Sequence, residues 1–306
     1  MATSVSTTQA AAGAEVRAEV KAEVKLDRLF VPTDFSQLSE RALDYARRIA
    51  ARHSAEIVLA YVTTPVSPMA VPEAAWYHLQ AAENKEIQQL ERLGARLRAE
   101  GFQARTVTRH GLLSDEVPCC CKEAKSDLIV LGADIKSGID RLFFGSDSEV
   151  LFRNSECPVL VIGPRSRPAP QETWHLHNIL CATNLKPETA QQAAFALRLA
   201  QKYDAAFTIF HAERRPSADS NHKQQFEQAL AQLMFGGEVP GNAVVTAPAE
   251  QGRSAAIVAQ ARQRHSDLIV MGAHPCSHAA TRLLRGTVAQ VIAEAPCPVL
   301  VRHTPC

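Results

Sequence analysis

Two glycines, Gly132 and Gly145, stand thirteen residues apart, and Ser146 follows the second at once. Glycine lets backbone N–H groups approach an anion closely, and a helix opening at the serine adds partial positive charge. The segment therefore reads as a phosphate cradle. Asp134 and Asp147 oppose that reading, because two unit charges 4 Å apart interact by about 1 to 4 kcal/mol, depending on the effective dielectric. Lys136 and Arg141 are the nearby cations that offset them. Cys119, Cys120 and Cys121 form a run of thiols, but successive helical residues point about 100° apart and cannot converge on one metal. Buried packing is their first reading and redox sensing the alternative. His274, Cys276 and His278 lie in HPCSH with no fourth ligand at a metal-site spacing, which leaves His274 as a loop residue or a phosphate contact. No G-x-x-x-x-G-K-[S/T], HExxH or G-x-S-x-G motif occurs, so P-loop turnover, zincin proteolysis and α/β-hydrolase chemistry lack their usual residues.

The elements that would position these residues are set by an internal repeat. SDLIVLGA at Ser126–Ala133 returns as SDLIVMGA at Ser266–Ala273, and CPVLVI at Cys157–Ile162 returns as CPVLVR at Cys297–Arg302, both offset by 140 residues. LFVPTD at Leu29–Asp34 corresponds to ILCATN at Ile179–Asn184, offset by 150. A period of this size is a duplicated domain rather than a solenoid. The apolar runs predict strands over 29–32, 56–62, 102–108, 128–131 and 158–162, repeated over 179–182, 206–212, 243–246, 268–271 and 298–301. Amphipathic helices lie between them: one opening at Ser36, with Ala42, Leu43, Tyr45, Ala46, Ile49 and Ala50 at helical spacing, and one in the second half over 187–203. This alternation predicts an α/β fold of two tandem, doubly wound, five-stranded parallel sheets. The domains are residues 26–163 and 176–306, joined by a proline-rich linker over 164–175. Residues 1–25, interrupted by Glu15, Glu19 and Glu23, read as a frayed tail or a helical arm.

Lys plus Arg number 33 against 32 Asp plus Glu, for a net charge of +1, without the basic excess of a nucleic-acid binder. No apolar run reaches the roughly 18 residues of a membrane helix, and no secretory signal is legible. Eight cysteines without a CxxC pair predict free thiols in a reducing, cytoplasmic setting.

With VPTDFS at Val31–Ser36, the DLIVLG strand, the long glycine loop ending in Gly145–Ser146, and CPVLVI, the chain resembles the universal stress protein family. Both copies share the resemblance. It implies the UspA-type fold (adenine-nucleotide alpha-hydrolase-like), with the fifth strands meeting in a pseudo-dimer, here Val159–Ile162 against Val299–Arg302. It also implies ATP as a ligand and, by position, Asp34, Val62, Gly132, Gly145 and Ser146 as contacts in the first copy. In the second copy the positions are Gly272, Gly286, Thr287 and Val288, with His274 compatible with phosphate. The second glycine of the family's loop is Ile135 in one copy and Pro275 in the other, and Asn184 replaces the aspartate. The expectation is a non-catalytic stress-response regulator with ATP as a conformational ligand and no metal beyond a nucleotide-associated Mg. Its partners would be an unknown protein and a second copy of the chain. A nucleotide-free interaction module with degenerate or apolar-ligand pockets is the alternative, and a slow ATP hydrolase the third.

Overall fold

The computed structural model describes residues 24–64, 69, 71–133, 151, 155–213, 220–233, 244–273 and 286–303. In the first half β1 (Arg28–Pro32), α1 (Gln37–His53), β2 (Glu56–Thr63), α2 (Glu73–Ala99), β3 (Ala104–His110), α3 (Leu113–Glu123), β4 (Leu128–Gly132) and β5 (Val159–Ile162) follow one another. The second half repeats the alternation with β6 (Asn178–Ala182), α4 (Ala190–Tyr203), β7 (Ala206–Glu213), α5 (Ser220–Leu233), β8 (Val244–Pro248), α6 (Arg253–Gln263), β9 (Leu268–Ala273), α7 (Thr287–Glu294) and β10 (Val299–His303). Each half thus supplies the five strands its pattern predicts.

The chain folds into two compact units, one of residues 26–175 and 273–303, the other of residues 176–272 with Val24 and Lys25 among its described residues. In the first, the strand order is β3-β2-β1-β4-β5-β10. The pairs among its first five strands are parallel. β10 is antiparallel to β5, with Val299 opposite Val161 and Val301 opposite Val159. The expected meeting of the two fifth strands is therefore present. In the other unit the order is β9-β6-β7-β8, all parallel.

Continuous apolar runs become strands covered on both faces: every residue of β4 and β5 is buried. Helix α1 lays Ala42, Leu43, Tyr45, Ala46, Ile49 and Ala50 inward, the same residues that the spacing selects. Ser36 starts it, its side chain accepting the Ser39 N–H at 3.2 Å, and Ser54 ends it in the left-handed region at φ 54°. Most strand ends shift by one or two residues, and two boundaries differ for a visible reason. Phe102 is not in β3, because its N–H closes the end of α2 onto the Leu97 carbonyl at 3.0 Å. Pro187–Thr189 forms a 3-10 turn ahead of α4 rather than its first turn.

The repeated Ser–Asp pair has a structural purpose. Asp127 accepts the N–H groups of Asp27 and Arg28, each at 2.9 Å, and Asp267 accepts those of His177 and Asn178 at 2.8 and 3.0 Å. Each aspartate thereby fastens the start of its unit's central strand. The linker forms neither helix nor strand, but it is not loose: Tyr45 donates to the Arg167 carbonyl at 2.9 Å, and Trp174 is buried. Val24 is buried too, and its carbonyl accepts from Lys202 at 2.7 Å. The rest of the expected tail, residues 1–23, lies outside the described residues.

Candidate functional site

In the six-stranded unit, the chain runs outward from β1 to β2 and β3, then returns to place β4 on the other side of β1. Strand order reverses there, and in open α/β sheets ligands bind beyond the carboxyl ends of the strands at that point. Register brings the predicted residues to this edge. Pro32 lies opposite Ala60, so Asp34 and Val62 lie at the adjoining ends of β1 and β2, and Gly132 ends β4 on the other side. Asp34, Val62 and Gly132 are therefore brought to one edge. Gly145 and Ser146 lie outside the described residues.

The turn after β1 is strained. Phe35 takes φ +62°, a conformation that costs an L-residue roughly 1–2 kcal/mol. The buried Thr33 hydroxyl sustains it by accepting the Phe35 N–H at 3.0 Å, while Asp34 accepts the Ser36 N–H at 3.0 Å. The other unit builds the same turn after β6. Leu185 has φ +57°, Thr183 accepts its N–H at 3.2 Å, and Asn184 accepts the Lys186 N–H at 3.0 Å. An amide thus serves the turn as well as a carboxylate, and turn geometry does not account for the negative charge at Asp34.

Gly132 has a different explanation from the sequence-level one. A Cβ built there would lie 2.2 Å from the Leu38 carbonyl oxygen, so the glycine is required where the first turn of α1 crosses β4. At Gly286 an added Cβ meets nothing within 4 Å among the described residues. Gly286 stands at the N-cap of α7 with no side-chain cap, followed by the half-buried Thr287 and Val288. Gly272 belongs to β9 in the four-stranded unit, whereas Gly286, Thr287 and Val288 belong to the six-stranded one. His274 lies outside the described residues.

Three features at the strand ends escape the sequence reading. Phe35 and Tyr61 stack with ring centroids 5.5 Å apart, and Tyr61 donates to Glu86. Gln192, buried in α4, donates to the carbonyls of Ala182 and Val270 at 3.1 and 3.3 Å, bridging β6 and β9. A glutamine among alanines on an apolar helix face was the available signal. Burial pushes the neighbouring Cys181 thiol up to about 12, with Gln192 pulling the other way. His211 places Nδ1 2.9 Å from the Thr183 carbonyl oxygen. Among the described residues, no group of three or more His, Cys, Asp or Glu is arranged to hold a metal ion, and no helix is long and apolar enough to cross a membrane.

Known proteins share this architecture. A universal stress protein of Methanocaldococcus jannaschii is 32% identical over 138 residues, covering 44% of this chain and 81% of that protein. The universal stress protein YxiE of Bacillus subtilis is 30% identical over 145 residues, covering 44% of this chain and 98% of YxiE. The crystal structure of a universal stress protein from Archaeoglobus fulgidus covers 92% of this chain and 100% of its own at a TM-score of 0.64, with 17% identity, a likeness of fold. The family's sequence profile matches residues 25–163 and again 175–303. By these two matches, the chain belongs to the universal stress protein family.

Proposed function

We propose that this protein is a non-catalytic stress-response regulator that takes ATP as a conformational ligand at the carboxyl edge of β1, β2 and β4. The observation that carries this reading is the strained Thr33–Ser36 turn, which holds the Asp34 carboxylate at the point where strand order reverses. Backbone strain gathers where a fold positions functional groups. The Asn184 counterpart supplies the internal control, since it makes the same turn without the charge. A carboxylate there suits the hydroxyl or amine donors of a nucleoside, with the phosphates directed to the glycine loop. Binding would bias the protein's conformation rather than feed a reaction, and the paired β5 and β10 support an internal pseudo-dimer as the signalling form.

A nucleotide-free interaction module is the second reading, favoured by Gly132, whose packing against Leu38 explains the glycine with no ligand at all. The stacked Phe35 and Tyr61 would then border an apolar pocket. Calorimetric titration of ATP into the wild type and Asp34→Asn separates the two. The first reading expects affinity to fall about ten- to a hundredfold, in line with roughly 1.5–3 kcal/mol for hydrogen bonds to charged groups, with thermal stability unchanged. Equal ATP affinity in both proteins would remove Asp34 from the site. Absence of binding in the wild type would favour the module, and metal-dependent release of ADP would contradict both.

A further inference from the structure

A cavity lies at the opposite, amino-terminal end of the six-stranded unit's sheet. It has a volume of about 380 Å³ and is lined in part by Pro118, Cys119, Cys121, Ser126, Ser155 and Cys157. Cys121 sits in the last turn of α3, its sulfur 3.8 Å from the Ser126 carbonyl oxygen, two residues before β4 begins. Cys157 stands two residues before β5 begins. Because β4 and β5 are adjacent and parallel, with Ile129 opposite Val159, both thiols reach the same amino-terminal edge. Both side chains line the cavity, and Cys157 is the strongest influence pushing the Cys121 thiol up. The cysteine run divides as helical geometry requires: Cys120 and Cys121 are buried and Cys119 is exposed, while Cys157, outside the run, is half-buried. Ser126 has a buried Oγ with no hydrogen-bond partner among the described residues, an unused polar group on a residue that lines the cavity.

We infer that Cys121 and Cys157 form a peroxide-responsive dithiol that closes to a disulfide across this cavity. Disulfide geometry needs the sulfurs about 2 Å apart, and two thiols lining one cavity at the entries of paired strands are placed to reach it. Two other thiols at the cavity are poor first nucleophiles. Cys119 is held protonated by its hydrogen bond to Glu123, and Cys121 by the neighbouring Cys157 together with burial. Cys157 remains, open to the cavity. Its sulfur attacks one oxygen of hydrogen peroxide, the O–O bond breaks, hydroxide leaves, and Cys157 becomes a sulfenic acid. The Cys121 sulfur then attacks the Cys157 sulfur and the S–O bond breaks. The second oxygen leaves as water, and the two thiol protons end in the two waters formed. Two electrons pass from the thiols to one peroxide, which balances the step. The product ties the end of α3 to the entry of β5, the strand on which β10 pairs.

The test uses the full chain treated with equimolar hydrogen peroxide, then alkylated under denaturing conditions and mapped by non-reducing peptide mass spectrometry. The expected result is one linked species joining the 119–121 peptide to the Cys157 peptide, two hydrogens lighter than its parts and reversed by dithiothreitol. Fragmentation should assign the link to Cys121, and Cys119→Ser and Cys120→Ser should form it in unchanged yield. In Cys157→Ser, checked for native circular dichroism, Cys121 should stay fully alkylatable after peroxide. A link through Cys119 or Cys120, or Cys157 oxidised to sulfinic acid with Cys121 still alkylatable, overturns the proposal. So does full alkylation of both thiols in the treated native chain, a result that needs no variant.

Discussion

A methyl group added at Gly132 would meet the Leu38 carbonyl oxygen at 2.2 Å, a distance no Cβ contact tolerates, and the obstacle is backbone. At Gly286 the same methyl would meet nothing within 4 Å among the described residues. Gly132→Ala should therefore lower stability by about 1–3 kcal/mol, the usual cost of forced overpacking. Gly286→Ala at its N-cap position should cost no more than about 1 kcal/mol. Urea unfolding of the two variants checks the order, and equal midpoints would contradict the packing argument. Both glycines stand out in the sequence as members of the repeated glycine loop, one in each copy, yet only the structure separates a glycine held by a crossing helix from one with open space around it among the described residues. Asp34 is similar. Its place after an apolar strand is legible, but the left-handed Phe35 beside it is not, because an aromatic residue carries no sign of positive φ.

Among the elements, α1 links the core to the candidate site. Its first turn follows the strained Asp34 turn and crosses Gly132, while its inner face covers the sheet. Ser36→Ala removes the side-chain oxygen that accepts the Ser39 N–H and should destabilise the protein by about 0.5–2 kcal/mol. The readout is a lower thermal midpoint that Ser36→Asp largely restores, and an unchanged midpoint would mean the cap contributes nothing. Strands and helices were largely legible because their periods differ and because Gly, Pro and Ser mark many of the ends. The misplaced start of β3 shows the limit. Phe102 is apolar enough for a strand, and only its hydrogen bond back to Leu97 assigns it to the helix end. The Gln192 bridge and the Cys121–Cys157 pair were not legible, since local pattern does not report which distant residues meet.

At the scale of the whole molecule, the repeat announced the duplication, whereas the compact units do not follow the sequence halves. Residues 273–303 fold with residues 26–175, and β10 covers the edge that β5 would otherwise expose. Leu300 is 3% exposed opposite Leu160 in that pairing. Leu300→Asp buries an unpaired carboxylate and should cost several kcal/mol, read as a lower unfolding midpoint. An unchanged midpoint would contradict the pairing. The ligand proposed for the site at Asp34 is an adenine nucleotide. That assignment is tested most directly by mass spectrometry of small molecules released from freshly purified, denatured protein, expressed as moles per chain. About one ATP or ADP per chain is expected, lost in Asp34→Asn. A chain that releases no nucleotide and shows no thermal shift in millimolar ATP would contradict it.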